Sequence, residues 1–173
     1  QDTIDVPYLR VANVQDGYLD LSDVALITIA KTELARYTLQ RGDVLMNEGG
    51  DNDKLGRGHI WNGEIDPCIH QNHVFAVRCH AVDPEWLTAS TSINYVKPFC
   101  QLRAKQSTNL ASISSSHLQE LPIVLPRRDE QQAILLHVKT EWQKIDALSA
   151  RARSAIALLR ERRAALGVLQ PAH

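Results

Sequence analysis

Cysteine is scarce in this chain: three residues, Cys68, Cys79 and Cys100, are all that 173 positions contain. They cannot pair completely and form no CxxC, so a disulfide framework is not expected. No apolar run approaches the roughly 18 residues needed to span a bilayer, and the opening "QDTIDVPYLR" is unlike a signal peptide. A cytoplasmic protein without membrane contact is expected. The single methionine is Met46. The chain therefore opens without one, inside what reads as a strand, and further sequence is expected to precede it. Also missing are a Walker loop, a dinucleotide fingerprint and a GxSxG elbow. No Ser, His and acid combination stands out by spacing, so catalysis is not expected.

What is present suits a globular protein. A hydrophobic content of 44% is enough to bury a core, and the length fits one domain or one domain with an appendage. Up to Pro126, 10 Lys and Arg stand against 15 Asp and Glu, a net of −5; from Arg127 onward 9 stand against 5, a net of +4. A front part this acidic repels nucleic acid as a whole, so any DNA binding has to come from local basic and polar loops.

That front part reads as β-rich. "VPYLRVANV" and "YLDLSDVALITI" carry alternating and β-branched apolar residues around the turn "QDG", which predicts a hairpin. "AKTELARY" predicts a short helix or turn, and Gly42-Asp43 a turn into a strand over Val44 to Asn47, followed by a glycine-rich loop. "HIWNGEI" and "CIHQNHVFAVRCHAV" predict further strands, "DPEWLTASTSINYVKPFC" one short helix, and "SISSSHLQELPIVLP" a turn into a last strand.

The character changes at "LPRRDEQQAILLHVKTEWQKIDALSARARSAIALLRERRAALGVLQ". Neither Gly nor Pro interrupts it between Asp129 and Gly167, and Asp129 or its neighbour is suited to cap a helix start. Val138, Ile145, Ala152, Leu159 and Leu166 recur every seven residues, with Trp142, Leu148, Ala155 and Ile156 widening the stripe. One long helix of about 40 residues, roughly 60 Å, is predicted. A helix folded back near Ser149 is the alternative, although no Gly or Pro supports that turn.

The stretch from Asn47 to Cys79 gathers eight charged residues, three of the seven histidines and two of the cysteines. "CIHQNH" followed by "CH" has zinc-ligand types. In a continuous strand, however, alternation puts Cys68 and His70 on one face and His73 and Cys79 on the other, which does not serve one tetrahedral ion. "DNDKLG" imitates a calcium loop with Asp51, Asp53 and Gly56 but fails at Leu55 and at Asn62, where a bidentate Glu is needed. The polar stretches do suit base edges and phosphates. Asn and Gln offer paired donor and acceptor to adenine, Arg and Lys serve guanine and phosphate, and glycines let backbone N–H groups come close.

"VPYLRVANVQDGYLDL", "LQRGDVLMNEGGDNDKLGRG", "CIHQNHVFAVR", "KQSTNLASIS", "LQELPIVLPRRDEQQAI" and "IALLRERRAAL" follow in an order that resembles the specificity subunit of type I restriction-modification systems, over nearly the whole chain. The resemblance implies an α+β chain: a β-rich DNA target recognition domain over 1–126, with its N-terminal part missing, then a long coiled-coil-forming spacer helix over 127–168 and a tail over 169–173. It implies a non-catalytic unit that binds double-stranded DNA at a bipartite target and directs methyltransferase subunits and a restriction/translocase subunit. S-adenosylmethionine, ATP and Mg are then expected on those partners only, and the "NPPY" type tetrapeptide of adenine methyltransferases is indeed missing here. A full subunit normally has two such units, so a second recognition unit, or a second copy of this chain in a homodimer, is expected along Val138, Trp142, Ile145, Ala152, Ile156, Leu159 and Leu166. Lys54, Arg57, Lys105 and Gln106 are the first candidates for DNA contact, with Gln71, Asn72 and Asn109 beside them. Lys54 or Arg57 pairing with Asp51 or Asp53 to order the loop is the competing reading. Two other classes stay open: the specificity region of a single-chain restriction-methylation enzyme, and a coiled-coil interaction protein that binds no DNA. The ending "GVLQPAH" and the missing opening leave open a fragment, a half-subunit or part of a larger protein.

Overall fold

The computed structural model describes residues 2–50, 54–106 and 111–168. The chain divides into two compact units, Gln1–Leu125 and Pro126–His173, and the architecture is α+β.

Among the described residues, the first unit contains three small sheets. In the first, β1 (Thr3–Leu9) lies between β2 (Ala25–Ala30), antiparallel from Thr3↔Ala30 to Tyr8↔Ala25, and β6 (Ile69–His70), parallel at Tyr8↔Ile69. The predicted hairpin thus exists as a strand pair, but its connection is longer than "QDG". A 3-10 turn over Val11–Asn13 and a bridge between Val14 and Leu19 intervene, because Asn13 is buried and its amide donates to the carbonyls of Asp20 and Asp23 at 2.8 and 2.9 Å. Helix α1 (Lys31–Tyr37) follows β2 directly.

In the second sheet, β3 (Val44–Asn47) lies between β5 (Gly58–Ile60) and β7 (Val74–Val77), antiparallel to both. All four residues of β3 are buried, as a strand covered on both faces requires. Its start is held by Asp43, which is 1% exposed. The Asp43 carboxylate accepts the Gln40 amide and two hydrogen bonds from Arg78, each at 2.8 Å.

The third sheet has β9 (Ala111–Ser112) between β4 (Gly49–Gly50) and β8 (Lys105–Gln106). Two apolar clusters are buried in this unit. One holds Leu9, Leu45, Trp61 and Val74 among others, and the second Leu55, Val96, Cys100, Ala111 and Ile113.

Three expectations are corrected. "CIHQNHVFAVRCHAV" is two strands parted by a turn at Gln71–His73, since the Gln71 carbonyl accepts the Val74 amide at 3.0 Å. The strand alternation argued for Cys68, His70, His73 and Cys79 therefore does not run through. The single helix expected after Asp83 is two, α2 (Pro84–Thr91), capped by the Asp83 carboxylate, and α3 (Val96–Arg103). The last strand is replaced by α4 (Ser115–Gln119), capped by Ser114, and a segment without regular secondary structure. Trp86 Nε1 donates to the carbonyl of Val124 and Tyr95 Oη to that of Pro122. These side chains take backbone acceptors that a sheet partner would otherwise use.

The second unit contains α5 (Arg128–Val168), a continuous helix of 41 residues, so no turn occurs near Ser149. Its heptad residues Val138, Ile145, Ala152, Leu159 and Leu166 are all exposed, and so are Trp142 and Ile156. Among the described residues no helix is long and apolar enough to cross a membrane.

Asp43→Ala is expected to lower stability by about 2–4 kcal/mol, because the part-buried bond from the Gln40 backbone amide loses its acceptor and Arg78 its counter-charge. Urea unfolding with an unchanged m-value checks this.

Candidate nucleic-acid interface

Strand β3 continues through one residue, Glu48, into β4. The Glu48 amide donates to the His73 carbonyl at 3.0 Å, and its carbonyl accepts the Ile113 amide at 2.9 Å. A single residue thereby ties the β6–β7 turn to the end of β9. The space between holds a cleft of about 470 Å³. Gln71, His73, Lys105, Gln106 and Ser112 supply its polar lining, while Val11, Gly49, Gly50 and Ala111 supply apolar and backbone surface.

Gln71 is well anchored: its amide donates to Leu9 at 2.8 Å, and its carbonyl accepts His70 Nδ1 at 3.1 Å as well as the Val74 amide. Its side chain stays half-buried in the turn. Lys105 and Gln106 form β8 and are exposed. Three of the sequence candidates, Gln71 and the adjacent pair Lys105 and Gln106 some way along the chain, thus meet at one concavity. Asn72 is exposed in the same turn but does not line the cleft. Lys54 lies beside it, since a Cβ on Gly50 would come 3.7 Å from the Lys54 Cβ. Both Lys54 and Arg57 are half-buried and already engaged in an interaction. Asn109, and the Asp51 and Asp53 of the competing loop reading, lie outside the described residues.

The glycines need separate treatment. A Cβ on Gly58 would stand 2.7 Å from the Leu45 carbonyl oxygen, and one on Gly56 2.9 Å from Cys100 Sγ. These two serve internal packing rather than the approach of a ligand. Gly50 differs: it lines the cleft with φ +134°, a conformation that favours glycine.

The histidines of this stretch occupy separate environments. His59 is half-buried, with Nδ1 enclosed and without a hydrogen bond; burial pushes its pKa down, opposed by Glu64. His73 Nδ1 lies 3.9 Å from the Glu48 carboxylate. Burial pushes the Cys68 thiol up to about 11, which disfavours the thiolate a metal needs. Among the described residues no three His, Cys, Asp or Glu side chains form a group able to hold a metal ion.

Val11 was invisible to sequence reasoning as a cleft residue. It reads as one more apolar position after a strand, and only the 3-10 turn sets it opposite Gly50.

No protein-family model matches the chain. It is 26% identical over 137 residues to the MjaX specificity subunit ascribed to a type I restriction enzyme of Methanocaldococcus jannaschii, covering 78% of this chain and 32% of that protein. It is 23% identical over 158 residues to the type I restriction enzyme EcoKI specificity subunit of Escherichia coli K12, covering 87% of this chain and 33% of that one. The chain thus spans about a third of the length of the curated relatives it matches. In fold it is similar to the crystal structure of an HsdS subunit from Thermoanaerobacter tengcongensis, with a TM-score of 0.62 and 16% identity over 90% of this chain and 41% of that one. The resemblance drawn from the sequence motifs therefore holds: the chain is similar in sequence to type I restriction specificity subunits, and in fold to an HsdS subunit. Both curated relatives are specificity subunits, which does not favour the single-chain enzyme.

Gly50→Ala is expected to cost about 1–3 kcal/mol through backbone strain alone, because the nearest atom to the added methyl would be 3.6 Å away and leaves room for it. Thermal or urea unfolding measures that cost.

Proposed function

We propose that the chain, as a relative of those specificity subunits, is a DNA target-recognition unit: its first unit reads part of a duplex target, and α5 joins it to a second helix. The observation that carries this is the meeting of Gln71, Lys105 and Gln106 at one cleft of an otherwise acidic unit. Two amides and a cation are the groups that base edges and phosphates require. The chain makes and breaks no bonds in this reading. It directs methyltransferase subunits and a restriction/translocase subunit to a bipartite site in the cytoplasm, and S-adenosylmethionine, ATP and Mg belong to those partners.

Helix α5 supplies the means of pairing. Its exposed stripe from Val138 to Leu166 is apolar at heptad spacing, and burial against another helix removes that surface from water at about 25 cal/mol per Å². The partner is a second recognition unit, which for the isolated chain is a second copy.

DNA binding by fluorescence anisotropy across a salt series tests the reading. Lys105→Ala is expected to weaken binding to every duplex and to reduce the salt slope by about 0.9, one phosphate contact. A chain that binds no duplex at low salt overturns the proposal.

Assembly is tested by light scattering at tens of micromolar. Leu159→Asp puts an unpaired charge in the seam and is expected to yield monomer. Leu136→Asp, two residues before Val138 and so roughly opposite it on the helix, is expected to leave the assembly intact although Leu136 is 67% exposed.

A further inference from the structure

We infer that the cleft reads an A·T base pair from the major-groove side, with Gln71 and Gln106 on adenine and Val11 against the thymine methyl; this rests on the DNA-recognition reading above. The register of the third sheet supplies the first argument. Gln106 pairs with Ala111, and Ala111 with Gly50, so these three share one sheet face. A Cβ on Gly50 would meet Val11 Cγ1 at 3.6 Å. That face is therefore the one opposite Val11, and Gln106 stands on it. Lys105 pairs with Ser112 in the neighbouring row, so its Cβ leaves the sheet on the other face; both residues still line the cleft, and from that row the ammonium group suits a backbone phosphate rather than the same base.

The second argument is chemical. Among the described residues no hydrogen bond or ion pair within the chain engages the side-chain amide of Gln71 or of Gln106. Each keeps a donor and an acceptor for a ligand, the pair that matches adenine N6 and N7. Guanine would call for two donors from an Arg or Lys; the one such residue in the described lining, Lys105, stands in the neighbouring row of the sheet rather than in that of Gln106, and cytosine N4 would call for a carboxylate. The Glu48 carboxylate lies 3.9 Å from His73 Nδ1, and Glu48 is not part of the lining. Beside the two glutamines the lining holds His73, Lys105 and Ser112; its apolar part is Val11, Ala111 and glycine backbone, and thymine is the base that presents a methyl to such a surface.

Selection of bound duplexes from a randomised library by the full chain tests this, followed by base analogues in the selected site. The expected outcome is an A·T pair at a position where Gln71→Ala or Gln106→Ala relaxes the preference by about tenfold or more. At that pair 7-deazaadenine, which lacks the N7 acceptor, weakens binding. Uracil in place of thymine weakens it about fourfold, the worth of one methyl group, for the natural chain but not for Val11→Ala. The analogue arms use the natural chain, so they stand even where a variant folds poorly. Selective binding with a G·C pair at the glutamine-dependent position, or indifference of the natural chain to both analogues, overturns the inference and leaves the DNA-recognition reading intact. Failure to select any sequence overturns both.

Discussion

The carboxylate of Asp43 is the constraint on which the first unit depends. It is almost wholly withdrawn from water, and it is tolerated there because Arg78 meets it with two parallel hydrogen bonds and the Gln40 amide adds a third. Arg78 follows β7 and Asp43 precedes β3, so the pair clamps the open end of the antiparallel ladder Val44↔Val77. Backbone bonds close the same corner, with Trp61 N donating to the Asp43 carbonyl and Gly42 N to the Trp61 carbonyl, both at 2.8 Å. With that corner closed, β3 has its register and its buried side chains have their pockets.

From that strand the cleft follows by chain continuity. Asn47, buried at the end of β3, donates to the Val14 carbonyl at 2.9 Å, which holds the segment carrying Val11. Glu48 then uses both backbone groups across two other segments, and Gly49 and Gly50 open the third sheet. The residues proposed to contact DNA are few and peripheral, while the groups that aim them are buried and hydrogen-bonded. Backbone anchoring of Gln71 from Leu9, His70 and Val74 limits its motion before any ligand arrives, which reduces the entropy lost on binding.

The second unit obeys a different economy. A helix of 41 residues with an exposed apolar stripe gains little from its own chain, and helical stability generally comes from packing an amphipathic face. Its surplus of positive charge, +4 against −5 for the front part, sets it apart as a surface. The first unit, by contrast, is held by its own core.

Helix α5 and strand β3 were legible because each rests on a local rule: an unbroken run without Gly or Pro at heptad spacing, and an apolar run entered through Gly42-Asp43. The resemblance to specificity subunits was likewise carried by motif order along the chain. Residue types for nucleic acid were legible too, but sorting them was not. Gly56 and Gly58 read as ligand-approach glycines, and the tertiary structure gives them to Cys100 and the Leu45 carbonyl. The break at Gln71–His73, the split into α2 and α3, and the loss of the last strand all turn on single backbone hydrogen bonds or side-chain caps, which periodicity does not register. The sequence by itself determined the long helix and the central strand, the charge division and the candidate chemistry, since these follow from side-chain identity and local spacing. Which candidates face one another was decided only by tertiary structure, because Val11, Gln71 and Gln106 meet through strand pairings between distant segments, and long-range pairing depends on the packing of the whole unit.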